Sequence, residues 1–388
     1  MYIQWIKNSV FTAVILVGLV WPSASFAQAD RFLQLGIKLD DWSEGQIAFW
    51  KKIYTEYTTH DYVIHDSVNL THVYGVVGSE SETAKKKAEI RTRLLALAEQ
   101  IKKSGSLSEE HLSENDRKLF VALDQAQDAN AYEFAADRMR LRTQVGQKDR
   151  LENAYSISKH YLSRMEEMLT EEGVPKELSR LPFIESGFNQ SARSSVGAIG
   201  IWQFMPKTAM TDLRVDAAID ERYDPLKSTR AAGRFLKRNE KILGNWGLAI
   251  MAYNQGAGLV QKGMAQVKSH DPVQIIKVFK NRNFLFASRN YLFEFLAMSD
   301  VDAKHELFFK KEEDRKLPAF ITVSFPEKLL VRTILEHYHL SEAQTRLLNP
   351  HFRDPIWTGH ASIPAHYPVR LTGITLEEFR KLEYPKLQ

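Results

Sequence analysis

The sequence predicts a mainly α-helical fold with a large hydrophobic core. Its 388 residues are 44% hydrophobic and 26% charged, an ordinary globular composition with enough apolar residues for two domains or one large one. Apolar side chains recur at intervals of three and four, which is the spacing of one face of a helix. Two such stripes lie early in the chain: Ile47, Trp50, Ile53, Tyr54 and Tyr57, and then Ile90, Leu94, Leu97 and Ile101.

The first residues have the pattern of a secretory signal peptide. Lys7 supplies a positive flank, residues 10–21 form a largely apolar run that is short for a membrane span, and Ser25 and Ala27 place small side chains where a signal peptidase cuts. We therefore predict that residues 1–27 are removed on export, with an uncleaved membrane anchor as the alternative. The chain contains no cysteine, so we expect neither a disulfide nor a lipid-modified N-terminal cysteine.

Residues 28–160 are predicted to form a helical N-terminal region. Ser43 followed by Gln46 is typical of a capping box at the start of the first helix. Residues 78–81 and 103–107 are predicted loops on either side of the helix that carries the second stripe. Both stripes are expected to be packed core rather than a ligand site.

Proline and glycine delimit the helices that follow. A helix beginning near residue 161 is predicted to end at Gly173. Pro175 then starts a shorter helix that reaches Glu185, and Pro182 is expected to bend it. Further on, Asp224 is predicted to cap a long helix, and residues 246–253 are predicted to form another.

Glu185 is the residue with the clearest chemistry. It shares one helical face with Leu178, Leu181 and Pro182, so its carboxyl group is predicted to lie on the side that packs against the core. Poor solvation disfavours the charged form and raises the pKa above its usual value of about 4.3. An acid that is protonated near neutral pH can donate its proton to a leaving oxygen. Taken alone, such a glutamate could equally meet solvent or an arginine at a helix end.

Three motifs in a fixed order set Glu185 in context. Glu185-Ser186 is followed by Gly197-Ala198-Ile199-Gly200-Ile201-Trp202-Gln203-Phe204-Met205-Pro206, and then by Ala252-Tyr253-Asn254-Gln255-Gly256. In this order they resemble the motifs of the lytic transglycosylases of the goose-type lysozyme superfamily, in particular membrane-bound lytic transglycosylase D and its relatives. The likeness extends over residues 42–350, and includes the segments 142–147 and 224–229.

The resemblance implies a fold and a division into domains. It implies a mainly α, lysozyme-like (α+β) catalytic domain over residues 161–310, preceded by the helical region and followed by a small C-terminal extension over residues 311–388. In relatives, a similar extension follows the catalytic domain and sometimes carries sugar-binding LysM repeats. No clear LysM repeat is visible here, so a small packing extension is expected.

The resemblance also implies a reaction on the glycan strands of peptidoglycan. Glu185 is expected first to protonate the bond between N-acetylmuramic acid (MurNAc) and N-acetylglucosamine (GlcNAc). It is then expected to accept the proton of the MurNAc 6-hydroxyl as that oxygen closes onto carbon 1. The product has a 1,6-anhydroMurNAc end, and no water is consumed. The residues implied to bind the substrate are Ser186, Ser194, Gln203, Met205, Tyr253, Asn254 and Tyr291.

Two positions depart from the pattern of the relatives. Many relatives have tyrosine where this chain has Phe235, so a hydroxyl hydrogen bond is expected to be missing. The relatives also often show Glu-Thr-x-x-Tyr near the end of the domain. The matching run here ends in Tyr291 but begins with Ala287. These departures bear on the outer cleft and on substrate preference, but not on Glu185.

Two alternatives to this function remain open. A hydrolytic muramidase on the same fold would need a second carboxylate to activate water. The acids near Glu185 in sequence are Asp212, Asp216, Asp220, Glu221 and Asp224. Asp224 is explained as a helix cap, and the other four are predicted to lie in a surface loop. A non-catalytic peptidoglycan-binding protein is the second alternative, although pure binding does not require a buried acid.

The net charge and the motifs of the chain limit the partners and cofactors that we expect. The net charge of +4 and the isoelectric point near 8.9 suit an anionic polymer, but the charge is too small and too dispersed to indicate nucleic acid. The twelve histidines are scattered, and the chain has no motif for a metal or for a phosphate. We therefore expect a monomeric enzyme of the periplasm that uses no metal or other cofactor.

Overall fold

A computed structural model describes residues 32–309 and 317–382. Helices dominate these residues, which confirms the prediction of a mainly α fold. The predicted signal peptide lies outside the described residues. Within them, no helix is both long enough and apolar enough to cross a membrane.

The N-terminal region is mainly helical but also contains a small sheet. Its helices are α1 (Asp41–Thr55), α2 (Glu80–Ser104), α3 (Glu114–Ala122) and α4 (Ala129–Ala135). The strands β1 (Tyr62–Asp66), β2 (Val73–Val77) and β3 (Leu141–Val145) form an antiparallel sheet in the order β2-β1-β3. The helical stripes gave no indication of this sheet, because β1 pairs with a strand far along the chain and such pairing leaves no local period of three or four residues.

The first helix is capped one turn earlier than predicted. Asp40 Oδ1 accepts a hydrogen bond from Ser43 N at 3.0 Å, and Ser43 Oγ accepts one from Asp40 N at 2.7 Å. The capping box is therefore Asp40 with Ser43, since aspartate caps a helix as well as serine does. Gln46 is buried instead, and its side chain bonds the backbone of Trp42 and Leu70.

The region around Glu185 is a set of packed helices. They are α5 (Lys148–Ser158), α6 (Leu162–Glu171), α7 (Leu181–Ser186), α8 (Pro206–Ala209), α9 (Pro225–Leu243), α10 (Trp246–Gln255), α11 (Ala257–Val267), α12 (Pro272–Val278) and α13 (Phe286–Ala303). The single helix predicted from Pro175 to Glu185 is divided into a 3₁₀ turn, Lys176–Arg180, and α7. Pro182 therefore lies in the first turn of a new helix, where its missing N–H costs no hydrogen bond.

One large core joins the N-terminal helix to this set. Buried side chains of α1, including Trp50 and Ile53, belong to the same cluster as Leu296 of α13. Trp50 Nε1 also donates to Asn290 Oδ1 at 3.2 Å. The predicted stripe on α1 is therefore core, and that core extends across residue 160. A second, smaller core under α2 contains all four residues of the other stripe.

The C-terminal extension has a core of its own. It comprises β4 (Ile321–Val323), α14 (Val331–His337), α15 (Glu342–Leu348), α16 (Asp354–Trp357), β5 (Val369–Leu371) and α17 (Leu376–Lys381), with β4 and β5 antiparallel. Arg370 of this extension donates to Asp224 Oδ2 at 2.6 Å, and His351 Nδ1 lies 2.8 Å from the same oxygen. Asp224 also caps α9 as predicted, so the extension is attached at the start of that helix.

Candidate active site

Glu185 lies in the last turn of α7, beside α13. The helix ends at Gly187, whose φ of +61° is the left-handed conformation that glycine adopts most easily. Glu185 Oε1 accepts a hydrogen bond from the Tyr291 hydroxyl at 2.5 Å. Burial raises the pKa of Glu185 to about 7, and the bond from Tyr291 opposes that rise because it favours the ionised form. Such a group can both give and take a proton near neutral pH.

Tyr291 holds the acid in place. Its side chain is buried in α13, and burial together with the charge of Glu185 raises the pKa of Tyr291 well above its ordinary value. The hydroxyl therefore remains a hydrogen-bond donor at every physiological pH. The Tyr291 hydroxyl is engaged by Glu185, and the expectation that Tyr291 binds substrate stays a prediction.

Ser186 and Tyr253 anchor the loop that follows α7. Ser186 Oγ donates to the carbonyl of Ile201 at 2.9 Å, and Tyr253 Oη donates to the carbonyl of Trp202 at 2.7 Å. Buried carbonyls need such partners. Both hydroxyls are thus used inside the protein, and the expectation that Ser186 contacts substrate stays a prediction. The ring of Tyr253 stays partly exposed.

The same loop is fixed from below by Arg222. Its Nη1 donates to the carbonyls of Gly197 and Phe204, at 3.0 and 3.2 Å. Gly200 has a φ of +78°, and a Cβ there would lie 1.9 Å from the Arg222 carbonyl oxygen. Trp202 is fully buried and donates from Nε1 to Thr229, so it is a core residue.

Besides Tyr253, four of the predicted substrate-binding residues keep surface for a ligand. Met205 and Asn254 are exposed, and Ser194 and Gln203 are partly exposed. Gln203 Nε2 donates to the carbonyl of Gly200 at 2.8 Å, and Ser194 Oγ accepts from Ala198 N at 2.9 Å. These two side chains therefore also help to close the loop.

Phe235 fills the position where relatives often have tyrosine. Its ring packs edge-on against Tyr253, with centroids 5.6 Å apart, and against Phe204 at 6.3 Å. The position thus belongs to an aromatic cluster behind the loop, and the missing hydroxyl is replaced by ring packing.

The acids that follow the loop are all paired with cations. Their partners, in the order Asp212, Asp216, Asp220, Glu221 and Asp224, are Arg238, Arg214, Arg222, Lys227 and Arg370. The prediction of a surface loop is wrong for Asp220 and Glu221, which are buried. Although burial opposes it, hydrogen bonds and the neighbouring cations lower the pKa of Asp216, Glu221 and Asp224, so these three are poorly suited to activating water.

Sequence reasoning missed a further acid, Glu294, in α13. It lines a cavity of about 290 Å³ together with Tyr54, Arg150 and Ile184, the residue before the acid. Burial raises the pKa of Glu294 to about 8, with a contribution from the negative charge of Glu185. Glu294 is therefore mostly protonated at neutral pH. It lies one helical turn after Tyr291, and that spacing was the available signal.

Comparison with known proteins identifies the domain that holds this site. Residues 164–276 match the family of transglycosylase SLT domains. The chain therefore carries an SLT transglycosylase domain, and the resemblance to lytic transglycosylases is confirmed. Glu185 and the loop after it fall within the match, whereas Tyr291 and Glu294 lie beyond it.

The chain is similar to two transglycosylases over part of its length. It is 31% identical over 173 residues to membrane-bound lytic murein transglycosylase D of Escherichia coli (strain K12), which covers 42% of this chain and 37% of that protein. It is 31% identical over 114 residues to the transglycosylase of Enterobacteria phage PRD1, covering 29% and 39%. The chain thus spans less than half the length of either relative.

A solved structure was also matched. The 70 kDa soluble lytic transglycosylase of Escherichia coli aligns with 59% of this chain and 44% of its own, at 15% sequence identity and a TM-score of 0.32.

Proposed function

We propose that this chain is a peptidoglycan lytic transglycosylase that cleaves the β-1,4 bond between MurNAc and GlcNAc without water. The observation that carries the proposal is a glutamic acid inside the SLT domain that accepts a hydrogen bond from the buried Tyr291 and has a pKa of about 7. A group that must act first as acid and then as base works best with a pKa close to the ambient pH.

The reaction begins with proton donation by Glu185 to the glycosidic oxygen, and the bond from that oxygen to C1 of MurNAc breaks. The ionised Glu185 then accepts the proton of the MurNAc 6-hydroxyl while its oxygen bonds to C1. The carboxyl group ends protonated, as it began, and the sugar ends as 1,6-anhydroMurNAc. Tyr291 stabilises the ionised carboxylate between the two steps.

The other site residues are proposed either to contact the glycan strand or to support the loop beside the acid. Ser194, Gln203, Met205 and Asn254 are proposed to contact the glycan strand, because they keep exposed surface on the loop beside the acid and on α10. Ser186 and Tyr253 support that loop. The enzyme is proposed to be exported to the periplasm through residues 1–27, with its catalytic domain over residues 161–310, and to act as a monomer.

The first test is the identity of the products. Purified peptidoglycan is digested with the chain lacking residues 1–27, and the soluble fragments are analysed by mass spectrometry. We expect 1,6-anhydroMurNAc ends. Reducing MurNAc ends would mean that water attacks C1 and would overturn the proposal.

Glu185→Gln is the matched variant for this test. We expect it to fold and to bind peptidoglycan normally, but to lose activity by about 100-fold or more, because an amide cannot donate an acidic proton. Thermal melting and co-sedimentation with peptidoglycan serve as controls. Near-normal release of fragments by this variant would contradict the assignment of the acid.

A hydrolytic muramidase remains the second candidate, because Glu294 lies near Glu185. Its raised pKa argues against a role as base, since a protonated carboxyl group cannot activate water. We therefore expect Glu294→Gln to keep most of its activity near neutral pH and to yield the same anhydro ends. A loss of about 100-fold, with reducing ends in the wild-type digest, would instead favour hydrolysis.

A further inference from the structure

A second, larger cavity lies between the N-terminal region and the helices around the acid. It has a volume of about 1130 Å³, above the usual range for small-molecule sites. Trp42, Val68 and Met139 line it on the N-terminal side, and Leu285 and Phe286 line the other side. Val68, Met139 and Leu285 are exposed large apolar side chains. A contiguous apolar surface of this kind is typical of a binding site.

The charges around this groove have one sign. The described residues that line it include Arg142, Lys277, Lys280 and Arg289, and they include no aspartate or glutamate. Lys277 is paired with Asp40, and Arg289 donates to the backbone carbonyl of Phe279 at 2.8 Å. A ligand that fits this groove carries negative charge along with apolar parts.

Two of the four cations are available to a ligand. Within residues 32–309 and 317–382, neither Arg142 nor Lys280 forms an ion pair with an acid. The Arg142 guanidinium lies over the Phe286 ring, 4.0 Å from its centroid, and this contact favours one position of the side chain at the wall of the groove. Lys280 is exposed. A guanidinium has five N–H donors, whose arrangement matches a planar carboxylate.

The groove is connected to the surroundings of the acid. Arg142, Phe286 and Ala287 line both this groove and the smaller cavity beside Ile184 and Glu294. Ala287 stands where relatives often have glutamate. Its methyl group leaves the shared wall open and keeps it free of a carboxylate that would repel an anion.

We propose that this groove binds the carboxylate-bearing peptide stems of the strand that Glu185 cuts. Arg142 and Lys280 pair with the stem carboxylates, and the exposed apolar side chains pack against the aliphatic parts of the stem. The inference rests on the proposed function, since it assigns the groove to the same polymer. The two remain separable, because stem binding can be measured without catalysis.

The binding test uses the Glu185→Gln background, in which the strand is not cut. Co-sedimentation is measured with intact peptidoglycan and with the same peptidoglycan after an amidase has removed its stems. We expect binding to intact material to be stronger than binding to stem-free material. The double variant Arg142→Gln, Lys280→Gln should bind intact material roughly tenfold more weakly. Binding to stem-free glycan should not change. Arg332→Gln is the control, because it removes an exposed arginine of the C-terminal extension.

The catalytic test uses the same two substrates with an otherwise wild-type chain. The double variant should raise KM on intact peptidoglycan and leave kcat/KM on stem-free strands unchanged. An equal loss on both substrates, no loss on either, or equal competition by a simple polyphosphate would overturn the inference. Stem-selective binding by a chain that releases no anhydro ends would overturn the proposed function and leave the groove assignment standing.

Discussion

Glu185 has a pKa near neutrality because two opposing effects act on the same carboxyl group. Burial at the end of α7 disfavours the charge, whereas the hydrogen bond from Tyr291 favours it. Burial is the larger effect, so the pKa stays well above the usual value for glutamate. The tyrosine contributes as a positioning residue, since its hydroxyl contacts the acid from inside the protein.

The pH dependence of catalysis follows from this balance. The proposed first step needs protonated Glu185, so kcat/KM should fall as the pH rises through about 7. Tyr291→Phe removes the bond that favours ionisation, so the pKa of Glu185 should rise and the alkaline limb should move to higher pH. The measurement is kcat/KM for release of anhydro fragments across the pH range.

A structural defect in Tyr291→Phe would have a different signature. Loss of packing would lower kcat/KM at every pH and lower the melting temperature, without moving the limb. An alkaline limb that stays in place, or moves to lower pH, would therefore show that Tyr291 does not set the acidity of Glu185.

Backbone carbonyls of the loop between Gly197 and Phe204 accept hydrogen bonds from three side chains. Ser186 and Tyr253 bind carbonyls in the middle of the loop, and Arg222 binds a carbonyl at each end of it. These donors come from three separate elements. These hydrogen bonds can all form together only if the loop backbone passes close to Arg222. Gly200 permits that approach.

Gly200→Ala should disrupt this loop. The added Cβ meets the Arg222 carbonyl oxygen at 1.9 Å, and alanine is disfavoured at a φ of +78°. We expect a loss of more than about 1 kcal/mol in the free energy of unfolding, together with lower activity. Denaturant unfolding and fragment release measure the two effects.

Gly258→Ala is the matched control for that substitution. It lies in α11, and a Cβ there meets no atom within 4 Å. It should leave activity unchanged and stabilise the helix slightly, because alanine has the higher helix propensity. Equal behaviour of the two variants would contradict the role given to Gly200.

The C-terminal extension is joined to the rest of the protein by a buried charge cluster. Asp224 is fully buried, and it caps α9 while it pairs with Arg370 of the extension. Burial opposes the charge of Asp224, but Arg370 and His351 outweigh it and hold the pKa of Asp224 well below its usual value. Removal of one partner therefore leaves a buried charge uncompensated.

Arg370→Ala should destabilise the protein by about 3 kcal/mol at neutral pH. Asp224 has a depressed pKa in the folded state, so its stabilising contribution is present above its unfolded value of about 3.9 and is lost as the pH falls. The difference between wild type and variant should accordingly shrink at acid pH. Thermal melting at neutral and acid pH tests this, with Arg332→Ala as an exposed control; a difference that is constant with pH would contradict the role of Asp224.

Local patterns in the sequence were sufficient for several of the helices and for the raised pKa of Glu185. The stripes on α1 and α2, the cap at Asp224 and the end of α6 near Gly173 each depend on residues within a few positions of one another. These features follow from the helical period and from backbone preferences, which are properties of short segments.

Only the tertiary structure decided which groups meet. It brought Tyr291 to Glu185 across 106 positions, paired β1 with β3, and placed Glu294 in the cavity beside the acid. It also buried Asp220 and Glu221 in ion pairs where a surface loop was predicted. Long-range packing determines which partner lies beside each charge, and the partner and the burial together decide whether a carboxyl group acts as an acid, a cap or half of an ion pair.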